Sequence, residues 1–152
     1  MLKKFLLVFL YTNHRAIFLY KVGSWFYKKG LFKTAYAIKS LNITLNGCDI
    51  SPAAKIGSNF TICHTIGIVI GDGVVIGDNL IIYQNVTIGT KDGKELIYPI
   101  IGNDVTLFAS CTIAGNVRVG DNVIVGANSL VLKDIPSNHL AIGNPSYIKA
   151  RA

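Results

Sequence analysis

Acidic residues are absent from the first 48 positions, where eight basic side chains stand unopposed: Lys3, Lys4, Arg15, Lys21, Lys28, Lys29, Lys33 and Lys39. The rest of the chain carries seven basic and eight acidic residues, so the net charge of +7 divides into +8 and −1. Ten of the 15 aromatic residues also fall in the first third. The 152 residues therefore divide into a basic, aromatic segment over 1–45 and a nearly neutral one over 46–152.

Cysteine is scarce as well. Cys48, Cys63 and Cys111 are odd in number and form no C-x-x-C pair, which argues against a disulfide framework or a zinc site and suits a reducing cytoplasm. No run of ~18 apolar residues is present to span a bilayer. The short apolar stretch from Phe5 to Tyr11 follows Lys3 and Lys4 but lacks a small-x-small cleavage site, so secretion is not expected. With 51% hydrophobic and 15% charged residues, disorder is excluded and one folded domain with a short appendage is expected.

What the second part does have is a period of six. An aliphatic residue recurs at Ile50, Ile56 and Ile62, then at Ile70, Ile76, Ile82 and Ile88, and after a gap at Ile101, Leu107, Ile113, Val119, Val125 and Val131. A second, mostly apolar column runs four places on, through Ala54, Phe60, Ile66 and Val74 to Ser129 and Ile135. A helix needs a period of 3.6 and a simple strand needs strict alternation. A strict six fits neither, and fits a prism in which each unit is a short strand plus a corner. Corners require a sharply turned backbone, which glycine, asparagine and aspartate tolerate.

Two interruptions break the period. The step from Ile62 to Ile70 is two residues longer than six, and the step from Ile88 to Ile101 is thirteen, so 90–99 is expected to project as a loop. Insertions in repeat proteins cluster on the working face. Of three histidines, His14 lies in the basic segment and His139 lies beyond the last full unit. His64 lies at the first interruption and is the candidate base.

The units have the I-G-x-x-x-x form of the hexapeptide-repeat acyltransferases. The stretch from Asp49 to Gly57, the stretch from His64 to Gly71, and Tyr83-Gln84-Asn85-Val86-Thr87-Ile88-Gly89 resemble the serine acetyltransferase branch over about residues 42–150. The resemblance implies a mostly β fold, a left-handed parallel β-helix of hexapeptide repeats with a short N-terminal helical segment. It implies His64 as general base with Asp49 orienting its ring, and acetyl-CoA as co-substrate with no metal. The family's coenzyme lies between subunits of a homotrimer, which carries over to Gly89, Thr90, Ala109, Ser110 and Ala127, to Lys133 for the phosphates, and to Asn144 and Pro145 in the terminal Gly-Asn-Pro. Acceptor contacts carry over to Cys63, Tyr83 and Tyr98.

Departures from that branch bear on the acceptor. Cys63 replaces an acidic residue, Ile97-Tyr98 replaces an Arg-His pair, and Phe108-Ala109-Ser110 replaces Gly-Ala-Gly. A zwitterion left without charged partners is poorly bound. These departures count against serine as acceptor, and similarity to short hexapeptide proteins of polysaccharide assembly implies instead an O-acetyltransferase acting on a sugar hydroxyl in surface polysaccharide assembly, with a small-molecule or lipid-linked sugar acceptor. The alternatives are a serine O-acetyltransferase and a non-catalytic β-helix serving as a structural or adaptor subunit.

Residues 1–45 read as one or two helices, with Gly23 and Gly30 as breaks. Phe5, Phe9, Phe18, Trp25 and Phe32 mix there with lysines. Such a segment either lies on an anionic membrane surface or packs as a lid on the β-helix. A cytoplasmic protein is expected, at the inner face of the membrane if the first reading holds. No nucleic-acid reader motif is present.

Overall fold

The computed structural model describes residues 10–93 and 95–151. Two helices lead into a three-sided, left-handed parallel β-helix of about five turns. One face stacks β1 (Cys48–Ile50), β4 (Ile68–Ile70), β7 (Thr87–Gly89), β10 (Thr112–Ala114) and β13 (Leu130–Val131). A second stacks β2 (Lys55–Ile56), β5 (Val75–Ile76), β8 (Ile100–Ile101) and β11 (Arg118–Val119). The third stacks β3 (Thr61–Ile62), β6 (Ile81–Ile82), β9 (Thr106–Leu107), β12 (Ile124–Val125) and β14 (His139–Ile142), with β15 (Tyr147–Ala150) antiparallel at its end.

The register follows the period. Ile70 pairs with Ile88 and Ile113 with Val131, a step of eighteen residues, or three units of six. Ile50 pairs with Ile70 and Ile88 with Ile113, steps lengthened by the two interruptions. The predicted aliphatic column is the core: Ile50, Ile62, Ile70, Ile82, Ile88, Leu107 and Val125 are all at most 1% exposed. The second column is buried too, with one exception. Ile66 was expected inside and is 72% exposed. The two extra residues bulge this corner outward, and Ile68 fills the core instead. The β-helix also completes its fifth coil beyond the end of the six-period, since Val125 pairs with the buried Ala141 of β14.

The edge between the second and third faces is held by a ladder of side chains. Asn59, Asn79, Asp104, Asn122 and Asn138 turn the chain there with φ between 54° and 63°. Their amides link coil to coil, Asn59 to Asn79, Asn79 to Asp104 and Asn122 to Asn138, at 2.8–2.9 Å. Glycine beside them leaves room for the next coil: a Cβ on Gly102 would lie 2.5 Å from Asp121 Oδ1. Asp78 accepts from Ser58 N–H at 2.6 Å and Ser58 O–H at 2.8 Å, and these bonds hold its carboxyl below the ordinary aspartate value. A depressed folded-state value adds stability above the unfolded value of ~3.9, and that stability is lost as pH falls through the folded value. Urea midpoints are therefore expected to fall below about pH 4, and Asp78→Asn should flatten that limb. An unchanged acid limb would show that other carboxylates carry it.

Helix α1 (Thr12–Lys28) and helix α2 (Phe32–Asn46) form a hairpin over the first coil. Ala16 and Tyr20 join the core, and Tyr20 O–H donates to the Ala54 carbonyl at 2.9 Å. Buried Asn42 and Asn46 tie the helices together, donating to the Ala16 carbonyl and accepting from Arg15 Nε. Gly30, at φ 76°, breaks the helices as expected. Gly23 does not: it lies buried inside α1, where a missing side chain lets the Ala35 carbonyl of α2 approach. Phe5, Phe9 and the two lysines between the chain start and Phe5 lie outside the described residues.

Candidate active site

The strand pairs Ile62–Ile82–Leu107–Val125–Ala141 align the residues that follow them on the edge between the third and first faces. Cys63, Tyr83, Phe108, Gly126 and Ile142 thus form one column. Tyr83 stacks on Phe108, ring centres 5.1 Å apart and planes at 22°. The His64 ring stands 6.4 Å from Tyr83. Hydrogen bonding to Cys63, and then the charge of its thiolate, raises the Tyr83 phenol above its ordinary value of 10.0. The phenol is therefore a neutral donor near pH 7.

His64 is exposed, but its backbone is anchored from both sides. Cys63 N–H donates to the Ile82 carbonyl of the next coil at 2.9 Å, and Asn85 N–H donates to the Ile66 carbonyl at 2.9 Å. From the preceding coil, Gly47 accepts from Gly67 N–H at 2.9 Å and the Cys48 thiol donates to the Thr65 carbonyl at 3.0 Å. The bulge that displaces Ile66 thus presents an imidazole on a fixed corner.

Asp49 lies on the first face between buried Cys48 and Ile50, so its carboxylate points outward. Among the described residues no hydrogen bond joins it to His64. Its partner is Lys39 of α2, with Nζ 2.7 Å from Oδ1. A half-exposed ion pair of this kind is worth about 0–1 kcal/mol. Sequence spacing gave no sign of Lys39.

The residues carried over for the coenzyme fall into two groups. Ala109, Ser110, Ala127, Asn144 and Pro145 continue the His64 edge, each in a turn between a strand of the third face and the segment after it. Ser110 adopts φ 62° there, where the resemblance puts glycine, a conformation costing about 1–2 kcal/mol. Its N–H is fixed by the Gln84 carbonyl at 2.9 Å. Gly89, Thr90 and Lys133 instead mark the edge between the first and second faces, which also carries the 90–99 loop. That loop folds back at its end, where the Tyr98 ring covers Gly71 and Gly73; a Cβ on Gly71 would lie 2.9 Å from it. A groove of about 260 Å³ opens under the loop, lined by Lys91, Ile97, Ala114, Gly115 and Leu132. Within one chain Tyr98 is thus on a different edge from Cys63, His64 and Tyr83.

The thiols differ sharply. Burial pushes Cys48 and Cys111 up to about 12, whereas Cys63 is partly exposed beside His64. One thiol, Cys63, is expected to react with a disulfide reagent in the native protein, and all three in denaturant. Mass mapping after labelling checks this; a native label on Cys48 or Cys111 would contradict the burial.

Two family profiles match the β-helix: "Bacterial transferase hexapeptide (six repeats)" over residues 98–133 and "Hexapeptide repeat of succinyl-transferase" over residues 54–84. A serine acetyltransferase of Helicobacter pylori is 36% identical over 142 residues, covering 93% of this chain and 83% of that protein. The chain belongs to the serine acetyltransferase family. It spans 59% of the serine acetyltransferase of Synechococcus elongatus, at 33% identity over 93% of its own length. Among solved serine acetyltransferases, the soybean enzyme complexed with serine matches with a TM-score of 0.88 at 34% identity, over 91% of this chain and 58% of that one. One in complex with CoA matches with a TM-score of 0.87 at 32% identity, over 94% of this chain and 60% of that one.

Proposed function

We propose that the chain is an acetyl-CoA-dependent O-acetyltransferase with His64 as general base and L-serine as acceptor. The observation that carries this is the anchored, exposed imidazole on an edge whose turns extend over the coils that align with serine- and CoA-bound relatives. His64 takes the proton of the acceptor hydroxyl as its oxygen attacks the thioester carbonyl. The tetrahedral oxyanion then collapses, the C–S bond breaks, and the imidazolium returns the proton to the departing CoA sulfur. Acetyl ester and free CoA thiol result. Asp49, released from Lys39, balances the imidazolium between those events.

The split of coenzyme positions across two edges supports a site shared between copies in a homotrimer. One copy supplies the His64 edge and its neighbour the 90–99 loop with Tyr98, Gly89, Thr90 and Lys133. The family resemblance implies a coenzyme groove between subunits, and here both edges flank the same outer face.

A second reading, transfer to a sugar hydroxyl, draws on the Tyr83–Phe108 pair next to His64. Stacked rings offer the flat apolar surface on which the C–H face of a sugar packs. The absence of charge at Cys63, Ile97 and Tyr98 points the same way. Measuring CoA release from acetyl-CoA with L-serine and with nucleotide sugars separates the two. Serine-dependent release supports the first reading, release with a sugar alone supports the second, and no acetyl-CoA binding at all would reject both in favour of a non-catalytic β-helix.

A further inference from the structure

Helix α1 has a buried side and an outward side of aromatic and basic residues. Ala16, Tyr20 and Gly23 are buried against the first coil and α2. On the opposite side Tyr11, His14, Phe18, Lys21, Trp25 and Lys28 follow at steps of three and four, all exposed, with Phe18 at 44% and Trp25 at 54%. At that spacing they form one stripe along the helix. The lid reading therefore accounts for only half of the helix, and the outward stripe has no packing partner among the described residues.

Next to this stripe a groove of about 270 Å³ opens between α1 and the first coil, lined by Tyr20, Lys21, Trp25, Lys28 and Phe60. Lys21 and Lys28 lie one helical step on either side of Trp25. No aspartate or glutamate occurs before position 49, so nothing in the hairpin offsets these charges. Among the described residues no helix is long and apolar enough to cross a membrane.

We infer that this outward face of α1 docks on an anionic phospholipid surface. Rings that alternate with lysines suit that occupant: aromatic groups enter the headgroup boundary while ammonium groups reach lipid phosphates on flexible stems. A second copy suits it poorly, because a two-fold contact would set Lys21 and Lys28 against their own counterparts. The inference is independent of the acceptor and of the role of His64.

Trp25 is the only tryptophan in the chain, so its fluorescence reports on this face alone. With the full chain, emission is expected to shift to the blue on vesicles containing phosphatidylglycerol and to stay unchanged on pure phosphatidylcholine. Brominated acyl chains should quench it. The double variant Lys21→Glu, Lys28→Glu should bind at least about thirty-fold more weakly, from about 1 kcal/mol for each lysine lost near the surface. Salt at about 0.5 M should weaken binding of the unmodified protein likewise, a readout that needs no variant. Unchanged emission on the anionic vesicles, or binding insensitive to both charge reversal and salt, would overturn the inference. So would a blue shift that grows with protein concentration in the absence of lipid, since a second copy would then cover the face.

Discussion

His64→Ala is expected to lower kcat for acetyl transfer by at least ~10², with little change in the KM for acetyl-CoA. The imidazole contributes only while a hydroxyl proton is moving, so its loss falls on the chemical step. Its corner is held by backbone bonds from the coils on both sides, none of which uses the side chain. Truncation should therefore leave the fold and coenzyme binding in place. Steady-state kinetics with circular dichroism as a control checks this, and turnover within a few-fold of the unmodified protein would remove His64 from the mechanism. Asp49→Asn should have a smaller effect, because in the proposed mechanism it only orients the imidazole and its carboxylate is already shared with Lys39.

Ile82→Ala is expected to cost about 2–5 kcal/mol of stability and to lower the thermal midpoint by roughly 5–15 °C. Ile82 is fully buried and stacked between Ile62 and Leu107 of the neighbouring coils, so truncation opens a cavity along the axis of a narrow prism. A prism this slender has no second layer to collapse into the space. The adjacent Ile81 faces outward at 38% exposure, and Ile81→Ala should stay within about 0.5 kcal/mol. Equal losses for the two variants would show that the six-residue register does not define the core.

Most of that register is legible in the sequence because the core of a β-helix is one side chain wide. Each coil must place an aliphatic group at the same position, and Ile, Leu and Val mark it from Ile50 to Val131. The pattern fails where the chain leaves the period. Ile66 has the right spacing but sits on a bulge, and the final strand of the last coil goes unmarked because Ala141 follows Val125 by sixteen residues rather than eighteen. Gly23 looks like a helix break because propensity cannot register a neighbouring helix that needs the space.

The candidate site is legible in part for the same reason. Position within a coil fixes which edge a residue occupies, so the column from Cys63 through Tyr83 and Phe108 follows from the period itself. The same counting assigns Gly89 and Lys133 to another edge, whereas Tyr98 lies in the insertion that breaks the period. What no spacing discloses is the ion pair between Asp49 and Lys39, because it depends on how α2 docks against β1. The stacking of Tyr83 on Phe108 is likewise a matter of side-chain direction between coils 25 residues apart in sequence.

The proposed site takes its residues from two edges that lie apart within one chain. Co-expression of two inactive variants tests this most directly: His64→Ala, and a chain whose residues 91–97 are replaced by a short glycine linker. Acetyl-transfer activity is predicted to reappear in the mixed assemblies, because one copy then supplies the imidazole and its neighbour the loop. Mixed assemblies that form, bind acetyl-CoA and remain as inactive as either variant alone would contradict the shared site.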